Sequence, residues 1–237
     1  MNSVPRLLVF DLDGTLIDSR VDLCNSVNAM LSRYGKPSLA EATIAGYIGD
    51  GALTLVRRAL AHAHLIADEP DPHDDVFVME ALVWFIGFYR VHKLDFTYVY
   101  PGVMEALRTI RKRHPNLPMA VLTNKPVDPS RAICDHFDLT RFFFANYGGN
   151  SFSTKKPDPE GLLRIFAEAS AAAPDAPPIE PAQTVMIGDS HIDVETARAC
   201  GARSLGCSFG LSPATLAAAG PDGTVDHASE WPTALGL

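Results

Sequence analysis

The sequence has no surplus of positive charge. Its 237 residues include 20 Lys and Arg against 28 Asp and Glu, so the formal net charge at pH 7 is −8. Nucleic-acid-binding proteins neutralise phosphates with Lys and Arg, and polybasic membrane anchors depend on the same two residues. The composition therefore argues against nucleic acid and against an anionic membrane surface as partners.

Cysteines and long apolar runs are also scarce. The four cysteines form no C-x-x-C pair and are too few for a disulfide scaffold, so we expect free thiols in a reducing compartment. The longest apolar stretch, Ala81–Tyr89, is far shorter than the roughly 20 residues of a membrane span. The apolar run near the N-terminus stops at Asp11, unlike that of a signal peptide. These absences predict a soluble, cytoplasmic protein.

Short apolar runs alternate with helical patterns over most of the chain. The run Leu7–Phe10 ends in acidic residues, which is typical of a strand buried on both faces of a parallel sheet. Alternating strands and helices favour right-handed crossovers and a sheet covered on both faces. The predicted fold class is therefore α/β, with a Rossmann-like parallel sheet flanked by helices. Further strands are expected at Met119–Leu122, Phe142–Ala145, Thr184–Ile187 and Ala202–Cys207.

The segment 19–98 shows helical spacing and no strand pattern. It has the size of a small domain. We therefore predict an α/β core formed by 1–18 and 99–237, interrupted by an all-helical inserted domain at 19–98.

Within this insertion, two sequences have the form of capping boxes that begin helices. They are Ser19–Asp22 and Ser38–Glu41. Two further helices are predicted at about Ala52–Ala63 and Asp75–His92. The acidic and proline-rich segment Asp68–Asp75 is predicted to be a loop between them.

Four polar clusters stand at the carboxyl ends of predicted strands. Ligands of open α/β sheets bind at the carboxyl ends of the strands, so the four clusters describe one site. The clusters are Asp11–Leu16, Thr123–Pro126, Lys155–Pro157 and Gly188–Asp193.

Two closely spaced aspartates, Asp11 and Asp13, indicate a cation. On an extended backbone both side chains lie on one side, and two adjacent carboxylates repel unless a cation or a proton lies between them. Oxygen ligands of this kind suit Mg²⁺, which also binds water and substrate phosphate. Asp189 is a candidate to complete the site, and Asp193 lies near a helix start, where the helix dipole favours an acid. The alternative is a pair of solvated turn aspartates.

Three further groups are suited to binding phosphate. Thr123 offers a hydroxyl group and Asn124 a backbone N–H at the end of a strand. A lysine before Pro157 offsets the charge of a phosphoryl group. Because Lys155 and Lys156 are neighbours, the sequence leaves the choice between them open.

These motifs resemble those of the haloacid dehalogenase superfamily. D-x-D-G-T-L, a strand ending in T-N, then K-P and G-D-S-x-x-D occur in this order, and the resemblance covers essentially the whole chain. The inserted domain resembles the helical cap of the superfamily's first cap class. Four segments are similar to the phosphoglycolate phosphatase branch, namely Asp11–Ser19, Tyr47–Gly51, Tyr100–Val103 and Lys156–Pro159.

The resemblance implies a Mg²⁺-dependent phosphomonoesterase that acts through an aspartyl-phosphate. Asp11 would be the nucleophile and Asp13 the general acid and base. Mg²⁺ would be held by Asp11, by the backbone carbonyl of Asp13 and by Asp189. The groups expected to hold the phosphoryl oxygens are Thr123, the Asn124 N–H and Lys156, and those expected to support the site are Gly188, Ser190 and Asp193.

The resemblance also implies a small phosphorylated metabolite as the substrate, with 2-phosphoglycolate as the first candidate. Cap residues would select it, and the candidates are Gly49, Asp50, Gly51 and Arg57. An acid at Asp50 would repel a carboxylate substrate unless it points away, and Arg57 has the alternative of a solvated helix face.

Other functions stay open at this stage. They are a phosphatase for sugar phosphates or pyrophosphate, a beta-phosphoglucomutase-like phosphomutase and a non-catalytic binding protein on the same fold. The sequence is compatible with a monomer or a homodimer.

Overall fold

The computed structural model describes residues 4–67 and 75–237 and divides the chain into two units. One unit comprises Met1–Asp18 and Val99–Leu237, and the other is Ser19–Tyr98. The predicted loop at Asp68–Asp75 lies outside the described residues, except for Asp75. No helix within the described ranges has both the length and the apolar character that crossing a membrane demands.

The elements are numbered along the chain. The strands are β1 (Leu7–Phe10), β2 (Ile17–Asp18), β3 (Tyr98–Val99), β4 (Met119–Leu122), β5 (Ala145–Tyr147), β6 (Thr184–Gly188), β7 (Arg203–Cys207) and β8 (Gly223–Val225). The helices are α1 (Arg20–Arg33), α2 (Glu41–Ala45), α3 (Ala52–Ala67), α4 (Asp75–His92), α5 (Val103–Arg113), α6 (Val127–His136), α7 (Glu160–Ala171), α8 (His191–Ala199), α9 (Pro213–Ala219) and α10 (Trp231–Leu235).

Six strands form a parallel sheet in the order β5-β4-β1-β6-β7-β8, while β2 and β3 form a separate pair. Strand β1 lies between β4 and β6, with Phe10 opposite both Val121 and Ile187. The predicted α/β class is thereby confirmed. Because neighbouring parallel strands end at the same edge, the residues that follow β1, β4 and β6 are brought together.

Both faces of the sheet are covered, which explains why its central strands are apolar throughout. On one face Leu7 and Val9 belong to the same buried cluster as Leu162 of α7. On the other face the ring of Phe10 lies 5.3 Å from that of Trp231, measured between ring centroids. A strand with no solvent-facing side has no reason to alternate apolar and polar residues.

The predicted position of one strand was wrong. The apolar run Phe142–Ala145 was expected to be a strand, but Thr140–Phe142 is a 3₁₀ helix and the strand is β5. Phe142 is buried as a core side chain, whereas the pairing with β4 begins at Ala145, opposite Ala120. Hydrophobicity alone does not distinguish these two ways of being buried.

The described part of unit Ser19–Tyr98 is helical up to the start of β3 at Tyr98, and α1 to α4 share a core of their own. Its fully buried side chains include Val27, Ile44 and Val56. These apolar positions recur at helical spacing, as the sequence predicts.

Both predicted capping boxes were wrong. Ser19 makes no side-chain cap bond, and α2 begins at Glu41 after an uncapped Ala40. The Asp22 carboxylate instead accepts hydrogen bonds from the N–H groups of Phe96 and Thr97 and from the Thr97 hydroxyl, at 2.6–3.1 Å. A buried carboxylate needs several donors, and the return segment supplies more of them than the helix start does.

Candidate active site

Three buried carboxylates meet at the carboxyl edge of the sheet. Asp11 follows β1, Asp189 follows β6, and Asp193 lies in the first turn of α8. Their exposed fractions are 7%, 3% and 2%, and one oxygen of each lies within 4.8 Å of the others. The pairing of β1 with β6 thus brings together Asp11 and Asp189 as the sequence predicts, with Asp193 beside them.

Glycines make room for these acids. Gly14 has a φ of +84°, and a Cβ atom there would lie 2.2 Å from Asp189 Oδ2. At Gly188 a Cβ atom would lie 2.1 Å from the Asp193 carboxyl carbon, and at Gly210 it would lie 2.2 Å from Asp189 Cβ. The carboxylates therefore pack directly against bare backbone. The sequence analysis missed Gly210, because nothing in its local sequence indicates what it contacts.

Backbone and hydroxyl donors fix the orientation of each carboxylate. The N–H of Leu12 donates to Asp11 Oδ1 at 2.7 Å, and the N–H of Leu211 donates to Asp189 Oδ2 at 2.7 Å. Ser190 donates to Asp193 Oδ2 from both its N–H and its hydroxyl group, at 3.1 and 2.9 Å. Ser190, one of the residues predicted to support the site, thus contacts Asp193 directly.

Burial disfavours the ionised form of two acids in the cluster. Burial raises the pKa of Asp11 to about 6, even though the Lys156 ammonium opposes this shift. Burial, together with Asp193 and Asp11, also raises the pKa of Asp189 well above its ordinary value. Buried carboxylate oxygens this close together suit a small divalent cation, which would offset their mutual repulsion. The residues present therefore fit the Mg²⁺ implied by the sequence.

Lys156, and not Lys155, joins the acids. Its Nζ lies 3.0 Å from Asp11 Oδ1 and 2.6 Å from Asp193 Oδ1, and the residue is 4% exposed. Burial alone lowers the pKa of Lys156, but the charges of Asp11 and Asp193 outweigh it and the net pKa is raised. Lys155 is exposed. Lys156 thus remains charged inside the site.

The segment after β4 lies beside Lys156. Thr123 is buried, and its hydroxyl oxygen accepts from the Lys125 N–H at 3.2 Å. The Asn124 side-chain amide donates to the Lys156 carbonyl at 2.9 Å. Asn124 therefore helps to fix the backbone position of Lys156, which its sequence motif alone does not indicate.

Asp13 is separated from the three clustered acids. Its carboxylate oxygens lie 3.0 and 3.1 Å from Lys125 Nζ, and it does not belong to the group within 4.8 Å. The structure thus groups the Asp11 side chain with those of Asp189 and Asp193, while the Asp13 side chain pairs with Lys125. Strand β1 ends at Phe10, and the Leu12 carbonyl accepts from the N–H groups of Leu16 and Ile17, so the chain turns directly after Asp13.

Lys125 was missed as a site residue. The sequence places it in the T-N-K-P segment, but a lysine next to a proline turn is most often a surface residue. Only the tertiary structure shows that it is 6% exposed and directed at Asp13.

The substrate-selecting candidates lie in unit Ser19–Tyr98, where two of them form ion pairs. Asp50 Oδ2 lies 2.5 Å from Arg58 Nη1, and Arg57 Nη2 lies 2.8 Å from Asp75 Oδ1. Gly49 and Gly51 flank Asp50 with φ values of 118° and 88°, which only glycine adopts easily. The guanidinium group of Arg58 therefore offsets the negative charge of Asp50.

The chain is similar in sequence to proteins of one enzyme family. The model of the haloacid dehalogenase-like hydrolase family matches residues 8–207. The chain is 38% identical over 211 residues to a phosphoglycolate phosphatase of Pseudomonas putida, covering 89% of this chain and 72% of that protein. It is 37% identical to phosphoglycolate phosphatase 1 of Pseudomonas aeruginosa, covering 88% and 71%.

Solved structures share the fold. A crystal structure described as a predicted phosphoglycolate phosphatase from Haemophilus somnus superposes with a TM-score of 0.88 at 26% identity, covering 99% of both chains. A haloacid dehalogenase-like hydrolase from Streptococcus pneumoniae superposes with a TM-score of 0.75 at 21% identity, again covering 99% of both chains, and shows the fold alone.

Proposed function

Because this chain belongs to the haloacid dehalogenase-like hydrolase family, we propose that it hydrolyses a small phosphomonoester through an aspartyl-phosphate, with Mg²⁺ as cofactor. The observation that carries this proposal is the position of Asp11. Its carboxylate is buried, oriented by the Leu12 N–H, and flanked by Lys156 at 3.0 Å and by Asp189. A carboxylate in this setting is suited to attack an anionic phosphate.

In the first step an Asp11 oxygen attacks phosphorus, and the bond from phosphorus to the leaving oxygen breaks. Asp13 gives a proton to that oxygen, so the product leaves as an alcohol. The Thr123 hydroxyl, the Asn124 N–H and the Lys156 ammonium are proposed to hold the phosphoryl oxygens. Phosphoryl transfer depends mainly on such positioning and charge stabilisation.

In the second step water attacks the phosphorus of the aspartyl-phosphate. Asp13, now a carboxylate, accepts a proton from that water, and the phosphorus–oxygen bond to Asp11 breaks. Inorganic phosphate leaves, and Asp11 is regenerated. One residue thus acts first as acid and then as base.

Asp11, Asp189 and the backbone carbonyl of Asp13 are proposed to hold the metal, with Asp193 alongside. When bound, Mg²⁺ supplies positive charge that allows an anionic nucleophile to approach an anionic phosphate. The Ser190 hydroxyl and the Lys156 ammonium keep Asp193 in place, and Gly188 leaves room for its carboxyl group.

We propose 2-phosphoglycolate as the substrate. Support comes from the relatives named phosphoglycolate phosphatase, which align over 88–89% of this chain. The ion pair between Asp50 and Arg58 offsets an acid that would otherwise disfavour a carboxylate substrate. In this proposal the unit Ser19–Tyr98 acts as the cap that selects the substrate, and the enzyme works in the cytoplasm.

The test is Mg²⁺-dependent phosphate release, measured as kcat/KM for 2-phosphoglycolate beside sugar phosphates, pyrophosphate and other phosphoesters. We expect a preference of at least about 100-fold, equivalent to about 2.7 kcal/mol of transition-state discrimination. Similar low rates for all substrates would remove 2-phosphoglycolate and leave the hydrolase assignment.

The covalent step has its own test. Asp11→Asn is expected to abolish turnover, and mass spectrometry of the acid-quenched wild-type enzyme is expected to find a phosphoryl group on the peptide that contains Asp11. Full activity of Asp11→Asn would exclude the aspartyl-phosphate.

A further inference from the structure

Two buried lysines lie at the site, and they contact different acids. Lys156 contacts Asp11 and Asp193, whereas Lys125 contacts Asp13. The side chains of Lys125 and Asp13 are 4% and 12% exposed. Because the two lysines are separate in both sequence and contacts, a role for Lys156 in binding phosphate does not explain why a second ammonium group is buried here.

The geometry between Lys125 and Asp13 is that of a charge-assisted pair. Lys125 Nζ lies 3.0 Å from one oxygen of Asp13 and 3.1 Å from the other. An ammonium group placed symmetrically between two carboxylate oxygens restricts the rotation of the carboxyl group, and such bonds are stronger than neutral ones. Asp13 thus has a preferred orientation before any substrate binds.

The backbone of Lys125 is itself held in place. Its N–H donates to the Thr123 hydroxyl, and its carbonyl accepts from the Gly149 N–H at 2.8 Å. A Cβ atom at Gly148 would lie 2.6 Å from the Lys125 carbonyl oxygen, so this glycine allows the two loops to pack closely. The ammonium group therefore extends from a fixed point.

We propose that Lys125 is a positioning residue that holds the Asp13 carboxyl group in the orientation needed for proton transfer to the leaving group. This inference rests on the proposed function, in which Asp13 is the acid of the first step. The ammonium group also stabilises the carboxylate that remains once the proton has been given away.

The leaving group provides a test that a general structural role would not pass. An alkyl leaving group, as in 2-phosphoglycolate, needs a proton from Asp13, whereas p-nitrophenolate departs without one. Because kcat/KM reports the steps up to departure of the leaving group, the comparison isolates the first step. The two substrates are measured with the wild-type enzyme, Lys125→Met, Lys125→Arg and the control Lys112→Met, which changes an exposed lysine of α5.

For Lys125→Met we expect kcat/KM for 2-phosphoglycolate to fall about 100-fold, and that for p-nitrophenyl phosphate to fall by less than about 5-fold. Lys125→Arg should recover at least part of the loss, and Lys112→Met should match the wild type. An equal loss with both substrates would overturn the proposal, since it would indicate that Lys125 binds the phosphoryl group or serves folding. No loss with either substrate would overturn it as well.

Asp13→Asn separates this inference from the proposed function. If Asp13→Asn shows the same dependence on the leaving group and Lys125→Met does not, only the role of Lys125 is wrong. If Asp13→Asn shows no dependence on the leaving group, the proposed acid role of Asp13 is wrong. Thermal unfolding of each variant, measured alongside, identifies one that fails to fold, in which case Lys125→Arg decides.

Discussion

Gly210 shows how the site depends on residues that carry no side chain. The Cβ atom of an alanine there would lie 2.2 Å from Asp189 Cβ and 2.4 Å from the Gly14 carbonyl oxygen. Both neighbours are fixed, the first by the Leu211 N–H and the second as backbone, so neither moves cheaply. One methyl group would therefore displace an acid of the cluster.

We expect Gly210→Ala to destabilise the protein by about 1–3 kcal/mol and to lower kcat by about 10- to 100-fold. Chemical denaturation and phosphate release measure the two effects. Unchanged activity would show that Asp189 tolerates displacement, and would weaken its assignment as a metal ligand.

At the scale of the element, α4 offers the opposite case. Gly87 lies inside this helix and is exposed, and nothing lies within 4 Å of a Cβ atom added there. Glycine is less favourable than alanine in a helix interior because the unfolded chain gains more freedom from it. The same face of α4 exposes Val76 and Val83, at 74% and 69%.

Gly87→Ala is therefore expected to stabilise the protein by about 0.4–1 kcal/mol, seen as a higher denaturation midpoint with an unchanged slope. It also serves as the matched control for Gly210→Ala, because the same substitution is expected to act with the opposite sign. A destabilised Gly87→Ala would mean that this face of α4 is covered in solution, which measurement of the molar mass would then show.

At the scale of the whole molecule, the acid cluster links stability to pH and to the metal. The folded-state pKa of Asp11 is about 6, above its ordinary value of 3.8. Between pH 3.8 and about 6 the folded protein holds a proton on Asp11 that the unfolded chain has lost. The stability that this proton contributes is fully present below pH 3.8 and is lost as the pH rises through about 6. Above about pH 6, Asp11 is ionised next to Asp189 and Asp193, and a bound cation would offset this charge.

We expect Mg²⁺ to stabilise the protein near pH 8, by about 2.7 kcal/mol when its concentration is about 100 times the dissociation constant. The gain should shrink near pH 5, because protons compete with the metal at Asp11. Thermal unfolding with and without Mg²⁺ measures it. Asp189→Asn should lose the stabilisation by Mg²⁺, and the control Asp175→Asn, at an exposed position, should keep it. Equal stabilisation at both pH values would contradict the assignment of Asp11 as a metal ligand.

The parts of the molecule that could be predicted are those encoded locally. Strand β1 is recognisable because burial on both faces makes every residue apolar, and Asp11 and Asp189 stand out because each ends such a strand. Parallel pairing then brings strand ends to one edge, so Asp11, Thr123 and Asp189 could be assigned to one site without a structure.

The partner of each side chain was decided only by the tertiary structure. Lys125 and Asp13 are 112 positions apart, Lys156 and Asp193 are 37 apart, and Asp22 and Thr97 are 75 apart. Local sequence patterns report burial and turn formation, but they do not report which donor meets which carboxylate. The sequence by itself therefore determined the α/β class, the four motifs and the acids at the strand ends. Contacts between distant segments decided that Lys156 and not Lys155 meets the acids, that Lys125 pairs with Asp13, and that Gly210 leaves room for Asp189. The physical reason is that a strand's burial acts on consecutive residues, while a buried charge is stabilised by whichever group the fold brings within hydrogen-bond distance.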